Sequence, residues 1–140
     1  MRGRVEVEGR EHVVKVIGGG AELEMSKGGK KLLRIKITAE MGRVEGEHTI
    51  VDRVVREYTI TYSMRGRNNA AEGYAVARAD APDGREADAE RLVAVIKALT
   101  GVKPRIRRMK DGRIVIICYR EHLDGLARFA ELAEAIEERL

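Results

Sequence analysis

The chain has 140 residues, 44% of them hydrophobic, which is the size of one domain with enough apolar side chains for a core without disulfides. The net charge is +4, and no stretch reaches the roughly 18 uninterrupted apolar residues that a membrane helix needs. The first residues lead straight into alternating Val and Glu, without the apolar segment of a signal peptide. We therefore expect a cytoplasmic protein that has no membrane partner.

The residue usage is typical of proteins from hot environments. The sequence has no Gln and two Asn, while charged residues reach 36% and 19 Arg stand against 8 Lys. Few thermolabile side chains combined with many potential ion pairs indicate a thermophilic source. The lone Cys118 lies in an apolar run, which predicts a buried, unreactive thiol.

Residues 1–80 predict a mostly antiparallel sheet. Alternating or β-branched residues, which favour strands, occur in the segments 4–8, 12–17, 21–25, 33–38 and 48–62. Three glycines at 18–20 are expected to end the second strand, residues 27–30 to form a hairpin turn, and residues 41–46 to form another turn. Residues 73–80 predict a further strand.

After residue 80 the apolar spacing becomes helical. Asp83 is expected to be an N-cap that forms a capping box with Glu86, and Gly101 to end the helix. A hairpin with its turn at Asp111-Gly112 follows, and then a helix from about residue 121 to the end.

The sequence thus predicts a single α+β domain, strand-rich over residues 1–80 and helix–hairpin–helix over residues 81–140. Apolar side chains of both helices are expected to pack against the sheet. They are Leu92, Ile96, Leu99, Phe129, Ala133 and Ile136.

The predicted hairpin carries most of the positive charge. Residues 102–113 contain six basic side chains and one acid, a local charge of +5 that leaves −1 for the rest of the chain. Strand alternation predicts that Lys103, Arg105 and Arg107 share one face, and a phosphate backbone would offset their repulsion. Since the returning strand is apolar throughout, we expect the hairpin to lie in the centre of the sheet. The alternative is that acidic side chains of the helices pair with these arginines.

A second nucleic-acid contact is predicted in the loop at residues 65–69. Arg65 and Arg67 suit phosphate or guanine, and the two asparagines suit adenine. The alternative is an ordinary surface loop, since such loops are commonly rich in Arg, Gly and Asn.

Signals for catalysis, metals and cofactors are weak. The glycine-rich stretches lack the spacing of phosphate-binding motifs, the three histidines are far apart, and both serines lie outside nucleophile motifs. Asp80 and Asp83 are compatible with a divalent cation, but capping explains Asp83 and the helix dipole explains Asp88. No catalytic residue, metal ligand or cofactor is assigned.

Five segments resemble an uncharacterised crenarchaeal family of paralogous repeat proteins, the PaREP class, second group, subtype b. The similar segments are KLLRIKITAE at 31–40, YTITY at 58–62, ADAP at 79–82, GREADAER at 84–91 and YREHL at 119–123. The resemblance extends from about residue 6 to the C-terminus. It implies an archaeal source and no established activity.

The order helix, strand, turn, strand, helix from residue 85 onward resembles the distal half of a LAGLIDADG homing-endonuclease fold. In that fold a strand similar to Lys103-Pro104-Arg105 lies over DNA, so the resemblance implies nucleic acid as a partner. The string at 76–84 comes nearest to the family's catalytic helix, but it needs a one-residue gap and contains an arginine and a proline. It is not assigned as a catalytic motif.

The sequence therefore predicts a non-catalytic nucleic-acid-binding domain that contacts phosphates through Lys103, Arg105 and Arg107. Two alternatives stay open. One is a homo-oligomeric protein-interaction module, such as a homodimer, whose arginines pair with the acidic last helix of a neighbour. The other is a degenerate LAGLIDADG-like nuclease centred on Asp80 and Asp83.

Overall fold

The computed structural model describes residues 2–25, 27–29, 31–47, 49–65 and 70–127. Within these ranges the chain forms seven strands and two helices. They are β1 (Arg2–Val7), β2 (Arg10–Met25), β3 (Lys31–Glu45), β4 (Thr49–Arg65), β5 (Ala70–Val76), α1 (Gly84–Thr100), β6 (Arg105–Arg108), β7 (Ile114–Cys118) and α2 (Arg120–Ala127). Neither helix in this part of the chain is long and apolar enough to cross a membrane.

The seven described strands form one antiparallel sheet in the order β1-β2-β3-β4-β5-β7-β6. The predicted α+β class with an antiparallel sheet is confirmed. The predicted central position of the hairpin is wrong, because β7 pairs with β5 while β6 is an edge strand. Charged side chains suit an edge strand, since they discourage pairing with another chain.

Strands β2, β3 and β4 have 16, 15 and 17 residues, about three times the mean strand length. The predictions that residues 18–20 end a strand and that residues 41–46 form a turn are both wrong. At each place the strand continues through a register shift, between Val16 and Gly18 and between Met41 and Arg43. Because a bulge bends a strand and increases its twist, these shifts let the sheet curl.

Helix α1 fills the concave side of the curled sheet. Its residues 91–96 are all buried, so every face of the helix is covered there, whereas a surface helix buries one stripe. The two edges of the sheet approach each other around it, since Lys103 Nζ, just before β6, lies 3.4 Å from Glu8 Oε1, just after β1. The predicted burial of three α1 side chains is confirmed, and those of the last helix lie outside the described residues. The first set is Leu92, Ile96 and Leu99, and the second is Phe129, Ala133 and Ile136.

The two ends of α1 differ in how well they follow the prediction. Asp83 has a φ of 63° and makes no capping hydrogen bond, so the predicted capping box is wrong. A capping side chain needs an extended backbone at the N-cap, and the left-handed conformation of Asp83 does not provide one. At the other end, the prediction is confirmed: Gly101 has a φ of 77°, and its N–H donates to the Lys97 carbonyl at 2.8 Å.

Tyr62 closes the core between β4 and β5. Its side chain is fully buried, and its hydroxyl donates to the carbonyl of Tyr119 at 3.0 Å. Gly73 is its partner in the β4–β5 ladder, and a methyl group there would stand 2.7 Å from a ring carbon of Tyr62. The approach of this ring to the neighbouring backbone therefore requires glycine.

Gly73→Ala is expected to lower the free energy of unfolding by about 1–3 kcal/mol, because the buried ring of Tyr62 has no space to move into. Gly20→Ala is the matched control, since nothing lies within 4 Å of a methyl group at that strand position. The control is expected to be neutral or slightly stabilising. Denaturant unfolding measures both, and equal stabilities of the two variants would contradict the packing of Tyr62.

Candidate nucleic-acid interface

The side of β5, β7 and β6 that faces away from α1 carries an exposed, partly aromatic and partly cationic surface. On β5 every second residue is buried, while Tyr74 and Val76 keep 41% and 51% of their surface exposed. Across the sheet, each of these two residues pairs with a residue of β7, which in turn pairs with an arginine of β6. We call the two rows, Tyr74–Ile117–Arg105 and Val76–Val115–Arg107, the convex patch. Its exposed side chains are those of Tyr74, Val76 and the two arginines, since Ile117 is buried and Val115 is half-buried.

The basic residues of the hairpin fall into two groups. Three of them have carboxylate partners: Lys103 with Glu8 at 3.4 Å, Arg108 with Glu86 at 2.9 Å, and Arg113 with Asp111 at 2.7 Å.

Arg105 and Arg107 on β6 and Lys110 in the turn form the other group. All three are exposed, and in the described part of the chain no hydrogen bond or ion pair joins any of these side chains to another residue. The predicted pairing of hairpin arginines with helix acids therefore holds for Arg108, which pairs with Glu86. It does not hold for Arg105 and Arg107, the two arginines of the convex patch.

Lys103 departs from the prediction that it shares a face with the two arginines. It precedes β6, so strand alternation does not apply to it, and its ammonium group lies beside Glu8. Both side chains of this pair are more than half exposed, and ion pairs of this kind contribute little stability.

The predicted loop contact is only partly described. Arg67 falls within residues 66–69, outside the described ranges, and Arg65 is the last residue of β4, opposite Ala70. Position 65 is four residues along β4 from Thr61, which pairs with Tyr74.

The electrostatics of Tyr74 link it to both charged neighbours. Its hydroxyl donates to the carboxylate of Glu72, and this hydrogen bond is the main reason why the pKa of Tyr74 is raised. The positive charge of Arg107 acts in the opposite direction, lowering the same pKa. The phenol, the carboxylate and the guanidinium group therefore share one small area of the surface.

A cleft of about 490 Å³ between α1 and strands β1–β3 is the second candidate site. At its base, His12 is 4% exposed, with Nε2 3.3 Å from Glu90 Oε2. Burial lowers the pKa of His12, and the negative charge of Glu90 opposes this shift. The arginines around the cleft each have an acidic partner, namely Arg10 with Glu90, Arg43 with Asp52, Arg91 with Asp83 and Arg108 with Glu86. The arginines of the cleft thus have acidic partners, whereas Arg105 and Arg107 of the convex patch have none among the described residues.

Asp88 acts as a buried hydrogen-bond acceptor, and the helix dipole does not account for it. It is fully buried and accepts hydrogen bonds from Arg56 Nε at 2.9 Å, the Tyr58 hydroxyl at 3.0 Å and the Arg78 backbone N–H at 2.8 Å. These bonds fix α1 to β4 and to the segment after β5. The sequence signal is faint: Arg56 and Tyr58, two positions apart, lie on the same face of a strand.

Asp80 and Asp83 each form an ion pair with a different arginine. Asp80 pairs with Arg78 at 3.0 Å, which lowers the pKa of Asp80, and Asp83 pairs with Arg91 at 2.9 Å. Across the described ranges, no three side chains of His, Cys, Asp or Glu are grouped so that they could hold a metal ion. The string at 76–84 forms the end of β5, a turn and the start of α1.

The environments of Cys118 and His122 also argue against a joint site. Cys118 is buried as predicted, and burial raises the pKa of its thiol to about 12. His122 is buried, and its Nδ1 accepts a hydrogen bond from the Tyr119 backbone N–H at 2.8 Å. Both side chains are thus part of the packing around α2, and His48 lies outside the described residues.

Comparisons of the chain with models of protein families, with curated proteins and with solved structures found no match in any of the three. The resemblances to the PaREP and LAGLIDADG families therefore stay predictions.

Asp88→Asn is expected to lower the free energy of unfolding by about 3–5 kcal/mol, because it leaves Arg56 partly buried without its counter-charge. Asp80→Asn, which breaks the exposed pair with Arg78, is the control and should change stability little. Thermal and denaturant unfolding compare the two variants. A loss no larger for Asp88→Asn than for Asp80→Asn is incompatible with the network.

Proposed function

We propose that the protein binds nucleic acid through the convex patch and performs no chemistry on it. The observation that carries this proposal is the pair Arg105 and Arg107, adjacent on one face of an edge strand and without an acidic partner among the described residues. Two neighbouring guanidinium groups repel each other. Phosphates relieve that repulsion and accept charge-assisted hydrogen bonds from both groups.

The shape of the surface favours a polymer over a small anion. Neither Arg105 nor Arg107 lines the 490 Å³ cleft, and both project from an open sheet surface. Their backbone positions are about 6.8 Å apart, two residues along an antiparallel strand. An extended polyanion can meet both with successive phosphates, whereas a single small anion has no enclosing walls there.

Three further basic residues are proposed as peripheral contacts. Lys103 can exchange its exposed partner Glu8 for a phosphate at small cost. Arg65 and Arg67 extend the same proposal to the 65–69 loop. The resemblance to a LAGLIDADG half-domain, with a Lys-Pro-Arg-type strand over DNA, supports the same edge strand, and the expected cytoplasmic location gives access to nucleic acid.

The two alternatives differ in what they require. A homo-oligomer would place the acidic last residues of one copy against the arginines of another, and the light-scattering experiment below tests it. A nuclease centred on Asp80 and Asp83 would need both carboxylates at one metal, and each is engaged by its own arginine.

The double change Arg105→Ala and Arg107→Ala is expected to weaken binding and flatten its salt dependence. With about two or three phosphates contacted, log affinity should fall against log salt with a slope of roughly −1.4 to −2.7, spanning single and double strands. Losing two contacts removes about 1.4 of that slope for a single strand and about 1.8 for a duplex. Fluorescence anisotropy of a labelled oligonucleotide across a salt series measures it.

The control is Arg108→Ala with Arg113→Ala, which removes the same two charges from the same hairpin. Neither guanidinium group belongs to the two rows of the convex patch, and each lies beside an acid, Glu86 or Asp111, so the salt slope should change much less. Absent binding at low salt, or equal effects of the two double variants, would overturn the proposal. Light scattering tests the oligomer alternative, which predicts a dimer that dissociates when Arg105 and Arg107 are changed and that binds no oligonucleotide.

A further inference from the structure

We infer that the nucleic acid is single-stranded and that one of its bases stacks on Tyr74. This inference rests on the proposed function and adds the class of nucleic acid and the residue that receives a base. It starts from the two neighbouring apolar side chains of the convex patch, Tyr74 and Val76, which are both exposed although each is large enough to be buried in a core. An exposed aromatic ring beside arginines is the arrangement that accepts an unpaired base.

Tyr74 lies midway between arginines on the outer face of the sheet. The row Tyr74–Ile117–Arg105 continues on the other side, because Thr61 pairs with Tyr74 and Arg34 pairs with Thr61. Strands are about 4.8 Å apart, so the backbones of Arg34 and Arg105 each lie about 10 Å from that of Tyr74. Arg34 Nε is already paired with Glu24 Oε2 at 2.6 Å, whereas Arg105 has no acidic partner in the described part of the chain. A strand that crosses the sheet along this row therefore meets one unpaired cation, Arg105, beside the aromatic ring.

Glu72 favours a base rather than a phosphate over the ring. Its exposed carboxylate accepts the hydrogen bond from the Tyr74 hydroxyl and therefore lies at the edge of the ring. A carboxylate repels phosphates but accepts hydrogen bonds from the amino groups of bases. The backbone is thus drawn to Arg105 at the end of the row, and the base to Tyr74 in its middle.

The position of Tyr74 also disfavours a duplex. Tyr74 is on β5, the third strand from the sheet edge, after β6 and β7. The major groove of DNA admits a two-stranded ribbon, so a duplex seated on the β6–β7 hairpin would leave Tyr74 outside the groove. The bases of a duplex are in any case stacked on one another and are not presented to a ring.

The test uses the full chain with a labelled, unstructured 12-mer of thymidylate and with the same strand annealed to its complement. At one low salt concentration, the single strand is expected to bind at least about tenfold more tightly than the duplex. Tyr74→Ala should weaken binding of the single strand by about 5- to 150-fold, the range for loss of one stacked base. Because no charge is lost, the salt slope should remain that of the unchanged protein.

Two controls separate stacking from other effects. Tyr74→Phe keeps the ring and removes the hydroxyl, so it should retain most of the affinity. Val55→Ala truncates another exposed apolar residue, one that pairs with Glu40 away from the convex patch, and should have no effect.

The outcomes distinguish failure of the single-strand inference from failure of the proposed function. Tighter binding to the duplex, with a salt slope that still depends on Arg105 and Arg107, overturns the inference and leaves the proposed function standing. Single-strand binding that is unchanged in Tyr74→Ala also overturns the inference. No binding of either oligonucleotide at low salt overturns both.

Discussion

The burial of helix α1 on all faces is the constraint on which the remaining structure depends. A helix with one apolar stripe can lie on a flat sheet, but residues 91–96 leave no side for water. The long bulged strands curl around α1, α2 packs beside it, and the hydrogen bonds to Asp88 fix its position against β4. Because α1 occupies the concave side in this way, the broad exposed face of the sheet is its outer side.

The pairing of charges follows from the same curling. Because the sheet edges meet around α1, Glu8 from the turn after β1 and Glu86 from α1 come within reach of Lys103 and Arg108. The basic hairpin is thus neutralised along the edge that faces the helix. Its outward arginines, Arg105 and Arg107, point away from these acids, so their positive charge stays on the outer face of the sheet.

The sequence predicts those features that depend on a few adjacent residues, such as strand faces, tight turns and helix caps. Alternation places Arg105 and Arg107 on one face, and the Asp111-Gly112 turn and the Gly101 cap depend on a few adjacent residues. What depends on distant partners is not predictable in this way: whether residues 18–20 end a strand or bulge is decided by the strand opposite, and Lys103 meets Glu8 from the far edge of the sheet. The sequence does not single out Tyr74, because its alanine-rich strand is a weak signal and its neighbours on the sheet face come from other strands.

The most direct measurement is side-chain NMR of the protein during titration with a single-stranded oligonucleotide. The signals of arginine Nε–H groups, tyrosine rings and histidine rings distinguish the outer face of the sheet from the cleft. Our account predicts that the signals of Tyr74, Arg105 and Arg107 shift together, while those of Arg91 and His12 in the cleft stay in place. Shifts centred on His12 and Arg91, with the outer face unchanged, would contradict it.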